Sequence, residues 1–118
     1  MSGRQVVWRD GERAAWEMYR RRGYRLVARN WTSALGELDL VVARGEVLVF
    51  CEVKARTSSR LGGPHEAVTP AKQQKIRHLA AAFVAAERPR VADFRFDVAS
   101  VTVHGRGPPE VYLFEDAF

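Results

Sequence analysis

Apolar residues recur along this chain at helical spacing in two segments, and these predict two helices. The first is predicted over 12–22, with Asp10 as its N-cap and Gly23 just past its end. The second is predicted to begin with Thr69 as N-cap and Pro70 in the first turn, and to end near 88–89. Its apolar stripe consists of Ile76, Leu79, Ala80, Phe83 and Val84.

Strand-forming residues cluster or alternate in other segments, which predicts strands over 24–32, 37–43, 47–55, 94–103 and 110–114. A tight turn at 44–46 joins the second and third strands, and a polar loop at 57–64 follows the third. The order is therefore α-β-β-β-α-β-β. A hairpin followed by a helical crossover predicts an α/β fold, with a mixed sheet flanked by helices.

Composition places the chain among ordinary globular proteins. Its 118 residues, 47% of them apolar, predict one domain over 1–118. No apolar run approaches a membrane span, and the first ten residues lack the apolar core of a signal peptide, so we expect a cytoplasmic protein without membrane contact. Cys51 is the single cysteine, and its apolar neighbours predict a buried side chain rather than a nucleophile.

The chain is basic, with a net charge of +5. A positive balance favours polyanionic partners, although the excess of arginine over lysine is equally consistent with a GC-rich genome. Asp97, in the fourth predicted strand, is interpreted as a structural salt-bridge partner.

Charged residues interrupt the two most apolar strands. Glu37 and Asp39 share one face of the second strand, and Glu52 and Lys54 share one face of the third. Folding about the 44–46 turn places Glu52 opposite Glu37 or Asp39, with opposed Cβ atoms roughly 5 Å apart. A hard cation at about 2.1 Å from each oxygen could then bridge Asp39 and Glu52. The alternative is a set of surface ion pairs with Lys54 and nearby arginines, which would contribute little to stability.

Asp39 and the Glu52-Val53-Lys54 segment resemble the acid and the E-x-K motif of the PD-(D/E)XK nuclease superfamily. The chain is similar in particular to the bacterial YraN-like family, related in fold to archaeal Holliday-junction resolvases. Leu38 stands where the superfamily name has proline. The stretches that carry the resemblance are 11–15, 23–24, 29–31, 36–40, 50–56 and 95–98.

The resemblance implies a restriction-endonuclease-like α-β-β-β-α-β core, with Asp39 and Glu52 as ligands of Mg²⁺ or Mn²⁺ and Lys54 beside the attacking water. It also implies that Glu12, on the first helix, is an additional acid of the site, although an acid near a helix N-terminus is equally explained by the helix dipole. Resolvase-like relatives are often dimers, so a homodimer is compatible with the resemblance.

These residues support metal-assisted hydrolysis of a phosphodiester bond. The Val53 carbonyl could add a ligand, and Glu37 is interpreted either as an acid that supports the ligands or as a rim carboxylate paired with arginine. Further residues are predicted to contact the nucleic-acid backbone, with solvated surface as their alternative. They are Arg56 and Arg60 beside the polar loop, and Lys72 and Lys75 near the start of the second helix.

The leading hypothesis is a metal-dependent nuclease-fold protein acting on nucleic acid, on DNA more than on RNA, with branched or processed DNA among its substrates. One alternative is a nucleic-acid-binding module with this fold and little or no catalysis. Another is a small interaction protein whose acids form ordinary ion pairs.

Overall fold

In the computed structural model, which describes residues 3–57 and 68–118, a single five-stranded sheet carries a helix on each face. Its elements are α1 (Gly3–Arg21), β1 (Arg25–Ser33), β2 (Gly36–Arg44), β3 (Val47–Arg56), α2 (Pro70–Glu87), β4 (Asp93–Thr102) and β5 (Glu110–Phe114). The strands lie side by side in chain order. β3 and β4 are parallel, joined through α2, and all other neighbours are antiparallel. The predicted α/β fold with a restriction-endonuclease-like core is confirmed, and β5 extends that core at one edge.

The apolar core is divided by the sheet into two clusters. The α1-side cluster contains Ala15, Tyr19, Tyr24, Leu40, Val42, Val49, Cys51, Val53, Ala99 and Val101. The α2-side cluster contains Leu38, Val41, Ala43, Leu48, Phe50, Val68, Ile76, Leu79, Ala80, Phe83 and Val98. β2, β3 and β4 are thus buried on both faces, and Cys51 is buried as predicted.

The helix α1 begins earlier than predicted. It starts at Gly3, so Asp10 lies inside the helix and is not its N-cap. Nothing upstream of Asp10 breaks a helix, and an aspartate in a helix interior costs only a few tenths of a kcal/mol, roughly 0.7 at most, relative to alanine. The end agrees with prediction, since Gly23 has φ +87° and the Tyr24 amide donates to the Tyr19 carbonyl at 3.1 Å.

The glycine at position 11 lets α1 lie directly on β3. A Cβ atom placed at Gly11 would stand 2.6 Å from the Cβ of Ala55, closer than real Cβ contacts allow. Gly11, Ala15 and Tyr19 recur every four residues and form the buried stripe of α1. The helix is therefore fixed against the sheet at the position next to Glu12.

The start of α2 follows the prediction closely. The Thr69 hydroxyl accepts a hydrogen bond from the Lys72 amide at 3.2 Å, and Pro70 occupies the first turn. At the other end Arg88 adopts φ +47° and donates its amide to the Val84 carbonyl at 2.9 Å.

Neither helix in the described part of the chain is apolar enough over sufficient length to cross a membrane.

A fully buried carboxylate ties the elements together. Asp97 accepts hydrogen bonds from the Tyr19 hydroxyl at 2.7 Å, the Arg95 guanidinium at 2.9 Å and the Asp116 amide at 2.9 Å. The Arg95 guanidinium also donates to the Tyr24 hydroxyl at 2.9 Å. This network confirms Asp97 as a structural salt-bridge partner and links α1, β4 and the C-terminal segment.

Candidate metal centre and nucleic-acid interface

The candidate site lies where β2 and β3 separate. Their pairing runs from Arg44 opposite Val47 to Leu40 opposite Cys51, and it stops there. Leu38 packs in the α2-side cluster whereas Leu40, two residues later, packs in the α1-side cluster, so the regular alternation of side chains breaks at Asp39. Past the last pair, the Val53 amide donates to the Asp39 carboxylate at 2.9 Å.

Three carboxylates converge at this separation. Oxygen atoms of Glu12, Glu37 and Asp39 all lie within 4.8 Å of one another. Ligand oxygens on opposite sides of a Mg²⁺ or Ca²⁺ ion are roughly 4–5 Å apart, given metal–oxygen distances of about 2.0–2.6 Å. The three side chains therefore fit a hard divalent cation, with Glu12 contributed by α1 and the other two by β2.

The electrostatics of the cluster also favour a cation. Burial and the neighbouring charge of Glu52 raise the pKa of Asp39 to about 7, against the opposing hydrogen bond from the Val53 amide. Burial also raises the pKa of Glu12, while the Asn30 side chain and the charge of Arg29 oppose that rise. Negative charge on these acids is unfavourable because they are partly removed from water and lie close to one another. A bound cation would offset both the cost of burying the charges and their mutual repulsion.

Glu52 is brought to the same cleft but has a different neighbour from the one predicted. Its Oε1 atom lies 3.6 Å from the Nζ atom of Lys72, and it is outside the group of three acids within 4.8 Å. Burial raises the pKa of Glu52, and the charges of Lys72 and Lys54 oppose that rise. The role of Glu52 as a metal ligand stays a prediction.

Lys54 and Val53 lie beside the cluster on β3. Lys54 is half-buried and follows Glu52 on the same strand, near enough for its charge to act on that carboxylate. Val53 is buried and its amide is bound to Asp39, while its carbonyl as a metal ligand stays a prediction.

An open cleft of about 630 Å³ surrounds the acids. Both predicted lysines line it, together with residues of α1 and β1; its lining is Arg9, Glu12, Asn30, Glu37, Asp39, Glu52, Lys72 and Lys75. Arg56 is not part of this lining, and its Nε and Nη2 atoms are shielded from solvent without a hydrogen-bond partner in the described part of the chain. Arg60 lies outside the described residues, as does most of the predicted loop at 57–64.

Two residues of the cleft, Arg9 and Asn30, were not predicted from the sequence. Asn30 lies between Arg29 and Trp31, which pair with Leu40 and Leu38, and this places it next to Asp39 on the neighbouring strand. Its φ of +51° is uncommon for a residue other than glycine. An asparagine among strand-forming residues is the signal that could have identified this position.

These features define an α/β protein with a restriction-endonuclease-like core and an acidic cluster suited to a metal ion. The chain belongs to the Uncharacterised protein family UPF0102, the YraN family, whose model matches residues 11–101. This confirms the family expected from the sequence motifs, and the PD-(D/E)XK superfamily assignment is consistent with it.

The chain is similar to UPF0102 proteins of several bacteria. It is 43% identical to one from Mycolicibacterium vanbaalenii over 101 residues, which cover 86% of this chain and 84% of the relative. It is 42% identical to one from Anaeromyxobacter dehalogenans over 116 residues, covering 98% and 86%. A UPF0102 protein of Frankia casuarinae is 42% identical over the full length of both chains.

Proposed function

We propose that this protein is a metal-dependent nuclease-fold protein that binds nucleic acid in the cytoplasm and hydrolyses DNA phosphodiester bonds. The observation that carries the proposal is the convergence of Glu12, Glu37 and Asp39 within 4.8 Å, in a cleft that also contains two lysines. Carboxylates alone would favour any hard cation. Carboxylates and lysines in one open cleft favour a phosphate held between a metal and ammonium groups.

In this proposal the acids and lysines of the cleft, and Lys54 beside it on β3, have distinct roles. Asp39, Glu12 and Glu52 would hold Mg²⁺ or Mn²⁺, with Glu37 as a further ligand or support. When bound, such an ion polarises a phosphoryl oxygen and lowers the pKa of a coordinated water. Lys54 orients the attacking water and stabilises the negative charge that develops on the phosphoryl oxygens. Lys72 and Lys75 contact the substrate backbone.

The basic chain and the open shape of the cleft support a polymeric substrate. The net charge is +5, although a cluster of acids forms the floor of the site. DNA is proposed over RNA, with branched or processed intermediates among the substrates, and a homodimer would suit the two-fold symmetry of a junction.

The test is cleavage by purified protein with Mg²⁺ or Mn²⁺, and with EDTA, of flap, four-way-junction, single-stranded and duplex DNA and of RNA. Asp39→Asn is the inactivating variant and Glu46→Gln, at the exposed β2–β3 turn, is the matched control. We expect metal-dependent cleavage that falls at least 100-fold in Asp39→Asn and is unchanged in Glu46→Gln. Absence of cleavage by the wild type, or equal cleavage by Asp39→Asn, would defeat the proposal.

The second candidate is a nucleic-acid-binding module without catalysis, and the ion pair between Glu52 and Lys72 favours it. In the metal-free protein this ion pair gives Glu52 a counter-charge, so the carboxylate does not depend on a metal ion to offset its own charge. Salt-sensitive DNA binding without turnover of any substrate would select this candidate over the enzyme.

A further inference from the structure

The ion pair between Lys72 and Glu52 crosses the cleft from α2 to β3. Its nitrogen and oxygen are 3.6 Å apart, and the two side chains differ in exposure, at 47% for Lys72 and 12% for Glu52. The glutamate is therefore fixed in the wall of the site, whereas the lysine reaches it from solvent. The Lys72 amide donates to the Thr69 hydroxyl at 3.2 Å, and the ammonium group is carried on a flexible four-carbon side chain that can reach more than one partner.

One carboxylate cannot serve a lysine and a divalent cation equally well. Glu52 adds to the negative charge felt by Asp39, so a cation bound to Asp39 also attracts Glu52. The same cation repels the ammonium group of Lys72. The two cations therefore compete for Glu52, and the doubly charged one has the larger attraction.

We propose that Lys72 is a built-in counter-ion, which forms an ion pair with Glu52 in the metal-free protein. When a divalent cation binds Glu52, the ammonium group of Lys72 is released and binds a substrate phosphate. This inference rests on the proposed function and adds a coupling between the binding of the metal ion and the binding of the substrate phosphate. Because binding free energies are reciprocal, metal then strengthens phosphate binding through Lys72, and phosphate strengthens metal binding to the same degree.

Lys75 provides a matched control. It carries the same charge, lines the same cleft and lies one turn further along α2, with its Cε atom against Gly36. Removing either lysine lowers the positive potential of the cleft. Only the removal of Lys72 also breaks the ion pair with Glu52.

The first experiment is titration of Mn²⁺ into Lys72→Met and Lys75→Met without nucleic acid, followed by calorimetry or electron paramagnetic resonance. We expect Lys72→Met to bind Mn²⁺ about two- to five-fold more tightly than Lys75→Met, the range that corresponds to a partly exposed ion pair. In a Glu52→Gln background this difference should vanish, because the carboxylate for which the cations compete is gone.

The second experiment measures binding of duplex DNA by fluorescence anisotropy in Ca²⁺ and in EDTA. Lys72→Met should weaken binding more in Ca²⁺ than in EDTA, by a similar two- to five-fold factor, whereas Lys75→Met should weaken it equally in both. Thermal unfolding of both variants is measured alongside, to check that each is folded.

Equal Mn²⁺ affinities of the two variants, or an equal effect of Lys72→Met in Ca²⁺ and EDTA, would overturn this inference alone, provided that the wild type binds Mn²⁺ and Asp39→Asn does not. Absence of Mn²⁺ binding by the wild type, or unchanged binding by Asp39→Asn, would overturn both this inference and the proposed function.

Discussion

Replacing Asp39 by asparagine should stabilise the metal-free protein at neutral and alkaline pH. Burial and the charges of its neighbours raise the pKa of Asp39 to about 7, whereas the pKa of aspartate in an unfolded chain is about 3.9. The folded state therefore binds a proton more tightly than the unfolded state. Stability contributed by this group is greatest below about pH 4, falls as the pH rises to about 7, and then levels off.

The size of the effect follows from the same two pKa values. Each tenfold change in proton affinity is about 1.4 kcal/mol, so the whole interval corresponds to roughly 4 kcal/mol, part of which belongs to the neighbouring acids. Asparagine keeps an acceptor for the Val53 amide but loses the charge that strengthens this bond, at a cost of about 1 kcal/mol. The net gain at pH 8 should be about 1–3 kcal/mol, or several degrees in Tm for a chain of this length.

The assay is thermal or urea unfolding in EDTA between pH 5 and 8.5, with Glu46→Gln as the control for loss of one surface carboxylate. Wild-type stability should decrease from pH 5 to pH 7 more than that of Asp39→Asn. Mn²⁺ should stabilise the wild type and Glu46→Gln but not Asp39→Asn. An Asp39→Asn protein that is clearly less stable than the wild type at pH 8 would refute the reasoning, because it would show that protein cations already neutralise Asp39.

Three further substitutions test the parts of the fold and site that hold this cluster. Gly11→Ala should lose about 1–3 kcal/mol of unfolding free energy, because the new Cβ would lie 2.6 Å from the Cβ of Ala55. The double variant with Ala55→Gly should recover most of this loss. No loss in Gly11→Ala would show that α1 can shift freely on the sheet. Asp97→Asn should lose roughly 3 kcal/mol in urea unfolding, because the Arg95 guanidinium is left without its buried counter-charge, and a loss below about 1 kcal/mol would contradict this. Lys54→Met should keep Mn²⁺ and DNA binding within about threefold but lose at least about 100-fold in cleavage rate, and undiminished cleavage would remove Lys54 from the mechanism.

The elements were predictable because local signals and global packing agree. Thr69 and Pro70 mark the start of α2, and its apolar stripe is the face buried against the sheet. The start of α1 was not predictable, because an aspartate at position 10 serves as an N-cap or as an interior residue at little difference in energy.

The site was predictable as a neighbourhood but not as a set of partners. Strand spacing was sufficient to bring Asp39, Glu52 and Lys54 to one end of a hairpin. If the regular pairing of β2 with β3 continued past Cys51, Glu52 would lie directly opposite Asp39. The pairing instead ends at Leu40 and Cys51, and Glu52 forms an ion pair with Lys72. That contact depends on how α2 docks across the sheet, which no local pattern specifies.

The carboxylates of Glu12, Glu37 and Asp39 repel one another, so contacts elsewhere in the fold must hold them close together. Glu12 lies three residues before Ala15 and seven before Tyr19, along the stripe of α1 that packs on the sheet. That stripe is fixed at Gly11 against Ala55 and at the Tyr19 hydroxyl bound to Asp97. Packing on both sides of Glu12 thus forces its carboxylate towards Asp39, against their mutual repulsion. The metal-free protein retains this repulsion as unfavourable energy, and binding of a divalent cation would release it.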